Sequence, residues 1–214
     1  MKRGGLVMSV RRVIKEACIE GIEQALLAQS KGASRVEYCA NLKEGGTTPS
    51  LGEVKIALSK LDIPIAVMIR PRGGDFYYTP AEIEVMIEDI VEFKKIGVDH
   101  FVFGVLTKSG EIHKRNTKRL IEACGKSKIT FHRAFDDVGD QYVALETLVQ
   151  LGCHKVLTSG GEESAILGKE RIKKLLLQAN SRITIIPGAG LHTGNIEAFL
   201  CDVKCCEIHG TKIV

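Results

Sequence analysis

The amino-acid sequence predicts an α/β fold in which eight strand–helix units close into a (β/α)8 barrel of the TIM type. Eight short apolar runs, each followed by a polar turn, recur at intervals of roughly 20 to 35 residues, as βα units require. Amphipathic segments that end at glycine lie between the runs and are typical of helices. With 214 residues the chain is near the lower limit for this fold, and too few residues follow the eighth run for an eighth helix.

The apolar runs are the predicted strands, and their flanking sequences place the helices. Two capping boxes, each a Ser or Thr followed three residues later by Glu, predict helices over Val54–Leu61 and Ile83–Ile96. A third helix is predicted over Tyr142–Leu151. The predicted strands are Val13–Cys18, Arg35–Cys39, Ile65–Arg70, His100–Val105, Ile129–His132, Lys155–Leu157, Ile183–Pro187 and Cys206–His209.

Composition limits the classes of function. The formal net charge is +4, and basic and acidic residues are interspersed, which argues against a nucleic-acid-binding surface. No apolar segment is long enough for a signal peptide or a membrane span, and seven cysteines without framework spacing indicate reduced thiols. We therefore expect a cytoplasmic protein without a membrane partner, with one domain over residues 1–214 in which residues 1–12 are an N-terminal extension.

The strand ends predict a charged barrel mouth. Side chains alternate along a strand between the helices and the lumen, and the active sites of such barrels lie where the strands end. Taking the β-branched residues as the outward face, several ionisable groups point inward, and burying them is costly unless they pair or bind a ligand. The predicted inward residues are Glu16, Cys18, Glu37, Cys39, Met68, Arg70, Arg72, Thr130, His132, Glu207 and His209.

The third predicted strand gives the clearest sign of a ligand, because it leads directly into Arg70 and Arg72 and then into two glycines and an aspartate. Two guanidinium groups directed into a lumen favour a bound anion. An alternative is that Glu16 and Glu37 neutralise the two arginines in an ion network that has no ligand.

Two glycine-rich loops are further candidates for anion binding. The loop after the sixth strand contains Ser159 and Gly160, and the loop after the seventh strand contains Gly188 and Gly190. Phosphate sites in these barrels commonly use the last two βα loops, although such glycines also occur in ordinary turns. His209 faces the same mouth, so we include it among the candidate anion-binding residues.

His132 is a candidate for acid or base catalysis, because it ends a strand at the mouth and an unperturbed imidazole titrates near neutral pH. Glu37 and Glu16 are the candidate carboxylates that would share this chemistry. The neighbouring Arg133 is expected to face outward and to brace its loop by pairing with Asp136 or Asp137. The histidines His100, His113, His154 and His192 show no informative spacing and are expected at the surface.

Cys18 and Cys39 end neighbouring strands with the same inward parity. Two thiolates close together suit Cu(I), which accepts two sulfur ligands, and Met68 on the next strand could add a thioether. Buried cysteine is also an ordinary small apolar residue, so packing is the alternative interpretation.

Several motifs together resemble the CutC copper homeostasis proteins. They are Ile69–Phe76, Arg35–Cys39, Glu44–Ser50, Thr130–Asp136 and Leu157–Gly160, within a resemblance that runs from about residue 16 to residue 209. The resemblance implies a (β/α)8 barrel, a cytoplasmic location, homo-oligomers and copper handling through Cu(I). It matches the family's cysteines to Cys18 and Cys39, and its rim residues to Glu16, Glu37, Arg70, Arg72, His132 and His209.

The sequence departs from the family pattern in three places, the first of which is that about a dozen residues precede the usual first strand. The loop after the seventh strand reads Gly188–Ala189–Gly190 where three glycines are expected, and the C-terminal tail is short. We expect the missing eighth helix to leave an apolar flank that a second subunit covers, giving a dimer or tetramer.

Two hypotheses of different classes remain. The first is a copper homeostasis protein that binds Cu(I) through Cys18 and Cys39. The second is a barrel enzyme that acts on a small anionic metabolite, phosphate- or carboxylate-bearing, with arginines holding the anion and His132 with Glu37 transferring protons. A scaffold without a ligand would leave the charged lumen unexplained, and the fold by itself decides nothing.

Overall fold

A computed structural model of the protein describes residues 13–214. The predicted N-terminal extension, residues 1–12, lies outside the described residues. The eight strands are β1 (Ile14–Glu20), β2 (Arg35–Cys39), β3 (Ile65–Met68), β4 (His100–Phe103), β5 (Lys128–Phe131), β6 (Lys155–Thr158), β7 (Thr184–Pro187) and β8 (Glu207–Gly210). The α-helices are α1 (Ile22–Ser30), α2 (Leu51–Lys60), α3 (Pro80–Lys95), α4 (Lys114–Cys124), α5 (Gln141–Leu151), α6 (Lys169–Ala179) and α7 (Ile196–Asp202).

The strands form one parallel sheet in the order β7-β6-β5-β4-β3-β2-β1-β8. This order confirms the predicted (β/α)8 barrel. Strands β1 to β7 pair in sequence order, and β8 pairs with β1. The barrel is nearly closed, because β7 and β8 lie side by side without a hydrogen-bonded ladder. We call this junction the seam. Near it, the loop after β7 meets the C-terminal tail, where the Thr193 N–H donates to the Lys212 carbonyl at 3.0 Å.

The helix starts follow the capping boxes. Thr79 and Glu82 form a complete box, in which the Thr79 hydroxyl accepts from the Glu82 N–H at 3.2 Å and the Glu82 carboxylate accepts from the Thr79 N–H at 2.7 Å. Ser50 caps α2 by accepting from the Glu53 N–H at 3.2 Å. Helix α2 therefore begins at Leu51, three residues before its predicted start, because the residues of the box form the first helical turn.

No helix follows β8 within the described residues, as the sequence predicts. Ile208 on β8, Ile213 in the tail and Ala25 of α1 are buried in the apolar core, so the short tail covers part of this gap. Leu27 on α1 is 53% exposed. Cover by a second subunit, and with it self-association, stays a prediction. No helix between residues 13 and 214 combines the length and the apolar character that crossing a membrane requires.

The base of the lumen holds a buried ion network. The Arg35 guanidinium donates to the carboxylates of Glu16 and Glu207, at 2.6 Å for Glu207, and the Lys155 ammonium donates to Glu207 at 2.5 and 2.6 Å. Two carboxylates and two cations balance each other, which buried charges require. The network corrects the placement of Glu16 at the rim, because this carboxylate lies below the mouth and pairs with Arg35.

His100 also lies in this lower layer and is 2% exposed, so its expected surface position is wrong. One ring nitrogen, Nε2, lies 2.9 Å from the Thr130 hydroxyl. Burial, together with the nearby charges of Arg35 and Lys155, lowers the pKa of His100 to about 2. The ring is therefore neutral and adds no charge to the balanced network.

Replacing Arg35 with Met should lower the free energy of unfolding by about 3–5 kcal/mol, because two buried carboxylates then share one cation. Urea denaturation measures the change. The double variant Arg35→Met/Glu16→Gln, which restores the charge balance, should be more stable than the single variant.

The matched control for this experiment is the exposed pair between Arg182 and Glu146. Solvent screens that pair, so Arg182→Met should leave the urea midpoint nearly unchanged. Equal small losses at Arg35 and Arg182 would show that the lumen network contributes no more than a surface pair.

Candidate functional site

The C-terminal ends of the strands surround a cavity of about 290 Å³, which we call the mouth. Six of the predicted site residues line it together, so inward parity placed them correctly. These residues are Cys18, Glu37, Cys39, Arg70, His132 and His209. The other predicted site residues, Glu16, Arg72, Ser159, Gly160, Gly188 and Gly190, do not line this cavity.

Glu37 and His209 form a buried ion pair across β1. The His209 Nε2 atom lies 2.6 Å from Glu37 Oε2. Burial disfavours both charges, but the Glu37 charge and a hydrogen bond with Cys18 outweigh it and hold the pKa of His209 well above its ordinary value. The His209 charge in turn holds the pKa of Glu37 below its ordinary value in spite of burial.

Gly188, in the loop after β7, makes room for His209. A Cβ atom at this position would lie 2.7 Å from the Leu157 side chain and 3.2 Å from His209 Nδ1. The Gly188 N–H is already used, since it donates to the Thr158 carbonyl at 2.9 Å. Gly188 therefore serves the site through its lack of a side chain rather than as an anion donor.

Cys18 and Cys39 lie beside this ion pair. One ligand atom from each of Cys18, Glu37 and Cys39 lies within 4.8 Å of the other two. Hydrogen bonding to Cys39, burial and the Glu37 charge raise the pKa of Cys18 well above its ordinary value. The hydrogen bond with Cys18 acts to lower the pKa of Cys39, but burial and Glu37 outweigh it and raise that pKa as well. Both sulfurs are therefore thiols at neutral pH.

His132 is a neutral hydrogen-bond donor. Its Nδ1 atom accepts from the Ala134 N–H at 3.1 Å, so the ring proton is on Nε2. Burial and the nearby Arg70 charge lower the pKa of His132 to about 3. A pKa this low does not suit a proton acceptor near neutral pH, and the role of His132 in acid or base catalysis stays a prediction. The close approach of Gly104 fixes the ring, since a Cβ atom there would lie 2.6 Å from it.

Arg70 is a buried cation without a carboxylate partner among residues 13–214. Its Nη1 atom donates to the carbonyls of Glu44 and Gly46 at 2.8 and 3.0 Å, and its Nη2 atom donates to the Gly74 carbonyl at 2.6 Å. The guanidinium carbon lies 4.8 Å from the centre of the Phe76 ring. Carbonyl dipoles orient the guanidinium but leave its charge uncompensated.

The structure does not support the alternative in which Glu16 and Glu37 neutralise the arginines, because these carboxylates pair with Arg35 and His209. The predicted inward position of Arg72 is also wrong. Its guanidinium bonds to Glu82 at 2.6 Å, outside the mouth. Strand β3 ends at Met68, and Arg70 still follows its alternation, but Arg72 lies in the bend over residues 71–74, where the alternation no longer holds.

The loop after β6 does bind a carboxylate, but an internal one. The N–H groups of Ser159 and Gly161 donate to the Asp136 side chain at 3.0 and 3.1 Å, and the Gly160 N–H donates to the Thr158 hydroxyl at 2.8 Å. Ser159 and Gly160 are therefore closed to an external anion. The predicted brace is present, since Arg133 donates to Asp136 at 2.8 Å.

The second predicted cradle is the loop after β7, in which Gly188 contacts His209 and Gly190 contacts Ser164. A Cβ atom at Gly190 would lie 2.9 Å from the Ser164 side chain, so this glycine packs against the neighbouring loop. Sequence reasoning missed Arg35, Lys155 and the central role of Asp136. Arg35 shares the inward parity of Glu37, and that signal was sufficient to find it.

The fold and the mouth define a (β/α)8-barrel protein whose site combines two thiols, a carboxylate–imidazolium pair and one uncompensated arginine. Residues 13–214 match the model of the CutC family, and the chain belongs to this family. The human copper homeostasis protein cutC homolog is 46% identical over 196 residues, which cover 92% of this chain and 72% of the human protein. A CutC family protein of Parabacteroides distasonis is 45% identical over 203 residues, covering 94% and 82%.

Solved structures agree with this assignment. The crystal structure of a Streptococcus agalactiae protein described as a CutC copper homeostasis protein superposes with a TM-score of 0.90 at 36% identity, covering 94% of this chain and all of that one. The aldolase QR15 superposes with a TM-score of 0.71 at 14% identity, covering 95% of this chain and 92% of the aldolase. The second likeness concerns the fold alone.

Replacing Glu37 with Gln should lower the pKa of His209 from above its ordinary value of 6.5 to below it, because burial then acts without a compensating carboxylate. The wild-type ring loses its proton only as the pH rises above 6.5, whereas the ring of the variant loses it below 6.5. NMR titration of the imidazole carbons measures both values. The control is the exposed His192, whose ring signals should coincide in spectra of the two proteins recorded at the same pH. An unchanged His209 titration would mean that Glu37 does not set its charge.

Proposed function

We propose that the protein binds Cu(I) through Cys18 and Cys39 and serves in copper homeostasis. The main support for this proposal is that both sulfurs and a Glu37 oxygen lie within 4.8 Å of one another at the mouth. Thiolates are soft ligands that favour Cu(I), and relatives at 46% and 45% identity are named copper homeostasis proteins. All seven cysteines are free thiols, which supports a reducing compartment such as the cytoplasm.

The residues of the mouth fit this ion in chemistry and in charge. Met68 lies beside Cys39, since a Cβ atom at Gly46 would touch the Cys39 sulfur at 3.3 Å and the Met68 methyl at 3.5 Å. Two thiolates with one Cu(I) carry a net charge of −1. The Glu37–His209 pair is neutral, so the uncompensated Arg70 supplies the opposite charge that a buried anionic centre requires.

Binding must displace the thiol protons, because the pKa values of Cys18 and Cys39 are both raised. Affinity for Cu(I) should therefore increase as the pH rises. Zn(II) should bind more weakly at this site, because it usually takes four ligands in closed protein sites.

Reduced wild-type protein should bind about one Cu(I) per chain, and the double variant Cys18→Ser/Cys39→Ser should lose this binding because the soft ligands are removed. Competition with a Cu(I) chelator under strictly reducing conditions measures stoichiometry and affinity. The control is Cys201→Ser/Cys206→Ser, which changes the two exposed cysteines and should leave binding unaltered. Equal Cu(I) binding by the two double variants would refute the site.

A second candidate function is a barrel enzyme that acts on a small anionic metabolite. The observation that favours it is the buried, uncompensated Arg70 guanidinium at the mouth, beside a carboxylate and a neutral histidine donor. Glu37 would accept protons, and His132 would stabilise a developing oxyanion through its Nε2–H group.

The anion requirement of this second function is tested by melting temperature. Small anions should raise the melting temperature of the wild type, and Arg70→Met should abolish the rise because no other buried cation of the mouth lacks a partner within residues 13–214. The control is Arg72→Met, which removes an arginine outside the mouth. If no anion raises the melting temperature of the wild type, the enzyme hypothesis loses its support, and balancing the copper centre is the remaining role for the charge of Arg70.

A further inference from the structure

Three buried polar atoms of the mouth have no hydrogen-bond partner within the described residues. They are Glu37 Oε1, Arg70 Nε and His132 Nε2. Their side chains line the same cavity, and none of the three residues is more than 4% exposed. Native proteins satisfy nearly all buried polar groups, so three such atoms around one cavity indicate a ligand that satisfies them.

The three atoms specify the polar groups of that ligand. Glu37 Oε2 is paired with His209, and its Oε1 atom is an acceptor that lacks a donor, whereas His132 and Arg70 present N–H groups and require acceptors. A hydroxyl group is both donor and acceptor, so it can donate to Glu37 and accept from His132. The Arg70 guanidinium is then left to bind a second group of the ligand. That group must accept hydrogen bonds and carry a negative charge.

The charges of the mouth make that group an anion. Glu37 and His209 neutralise each other, whereas Arg70 forms no salt bridge among residues 13–214 and donates to carbonyls. Asp137 also lines the mouth, but it interacts with the Arg70 charge only beyond salt-bridge distance. A buried guanidinium binds a carboxylate with charge-assisted hydrogen bonds, which are stronger than those between neutral groups.

The loops favour a carboxylate over a phosphate ester. Phosphate sites of these barrels use free N–H groups in the last two βα loops. Here the N–H groups of Ser159 and Gly161 bind Asp136, and that of Gly188 binds a carbonyl. Arg133 also lines the cavity, but it already donates to Asp136 and to the Ser159 hydroxyl. A phosphate would therefore find Arg70 with few free donors beside it, whereas Arg70 is sufficient for a single carboxylate.

Size and wall chemistry limit the rest of the ligand. The cavity of about 290 Å³ lies at the lower end of the range for small-molecule pockets, so the ligand has only a few carbon atoms. Met68, Phe76 and Leu157 form the apolar part of its wall. The Phe76 ring lies 4.9 Å from the His132 ring and beneath the Arg70 guanidinium, and it presents a flat surface to a short carbon chain.

We propose that the mouth binds a small hydroxy-carboxylate, with its carboxylate on Arg70 and its hydroxyl group between Glu37 and His132. This assignment rests on the second proposed function and names its ligand class. It also gives His132 the task of selecting ligands that carry an oxygen at the hydroxyl position.

Isothermal titration of the reduced, copper-free protein tests the proposal with glycolate, lactate and glycerate as probes. Acetate and propionate lack the hydroxyl group, lactamide lacks the charge, and inorganic phosphate tests the competing anion. At least one hydroxy acid should bind about tenfold or more tightly than its analogue without the hydroxyl group, and lactamide should not bind. His132→Phe should remove this preference, and Arg70→Met should remove binding of every acid.

Each outcome is decisive. Equal binding of acids with and without the hydroxyl group overturns the ligand class and leaves anion binding intact. Tighter binding of phosphate overturns the carboxylate assignment. No binding of any acid up to about 10 mM overturns the enzyme function as well, while the copper site stands. The comparison of analogues on wild type needs no variant, and circular dichroism shows whether Arg70→Met and His132→Phe are folded. Arg72→Met, outside the cavity, should bind like the wild type.

Discussion

Charge neutrality in a buried lumen governs the design of this barrel. Ions in a medium of low dielectric constant are stable only when they are paired and hydrogen-bonded. The lower layer meets this condition by itself, because Glu16 and Glu207 face Arg35 and Lys155. The upper layer does not, because Glu37 and His209 pair with each other and leave Arg70 with carbonyl partners only. The charges of the lower layer are thus balanced, whereas the upper layer leaves one guanidinium without a salt bridge among residues 13–214.

The alternation of side chains along the strands was sufficient to predict much of the candidate site. It found six residues that line the mouth, because the period of two along a strand determines which side chains face the lumen. It could not give depth, since the stagger between neighbouring strands sets the level of each residue along the barrel axis. Glu16 therefore has the predicted direction but the wrong level. The prediction for Arg72 fails for a different reason, because the chain bends away from the sheet after Arg70 and the alternation no longer applies.

The glycine-rich loop after β6 shows a second limit. Its sequence correctly predicts a turn that presents N–H groups to an anion, and Asp136 is that anion. Nothing local to Thr158–Gly161 distinguishes a carboxylate of the same chain from a bound metabolite, because the N–H groups make the same bonds to either. The distinction depends on the short segment after β5 that places Asp136 against the loop, which is a tertiary contact. The same holds for the tautomer and low pKa of His132, which depend on the Ala134 N–H and on burial.

Because of the seam between β7 and β8, the Glu37–His209 pair also helps to hold β8 in the barrel. Strand β8 is hydrogen-bonded along one edge only, to β1. The ion pair reaches past β1 from β2 and is therefore a second tie that holds the last strand in the barrel. A ligand that draws Glu37 away from His209 weakens this tie, and one that leaves the pair intact preserves it. For a ligand of the first kind, filling of the mouth and closure of the barrel would be linked equilibria, in which each shifts the other by the same free energy.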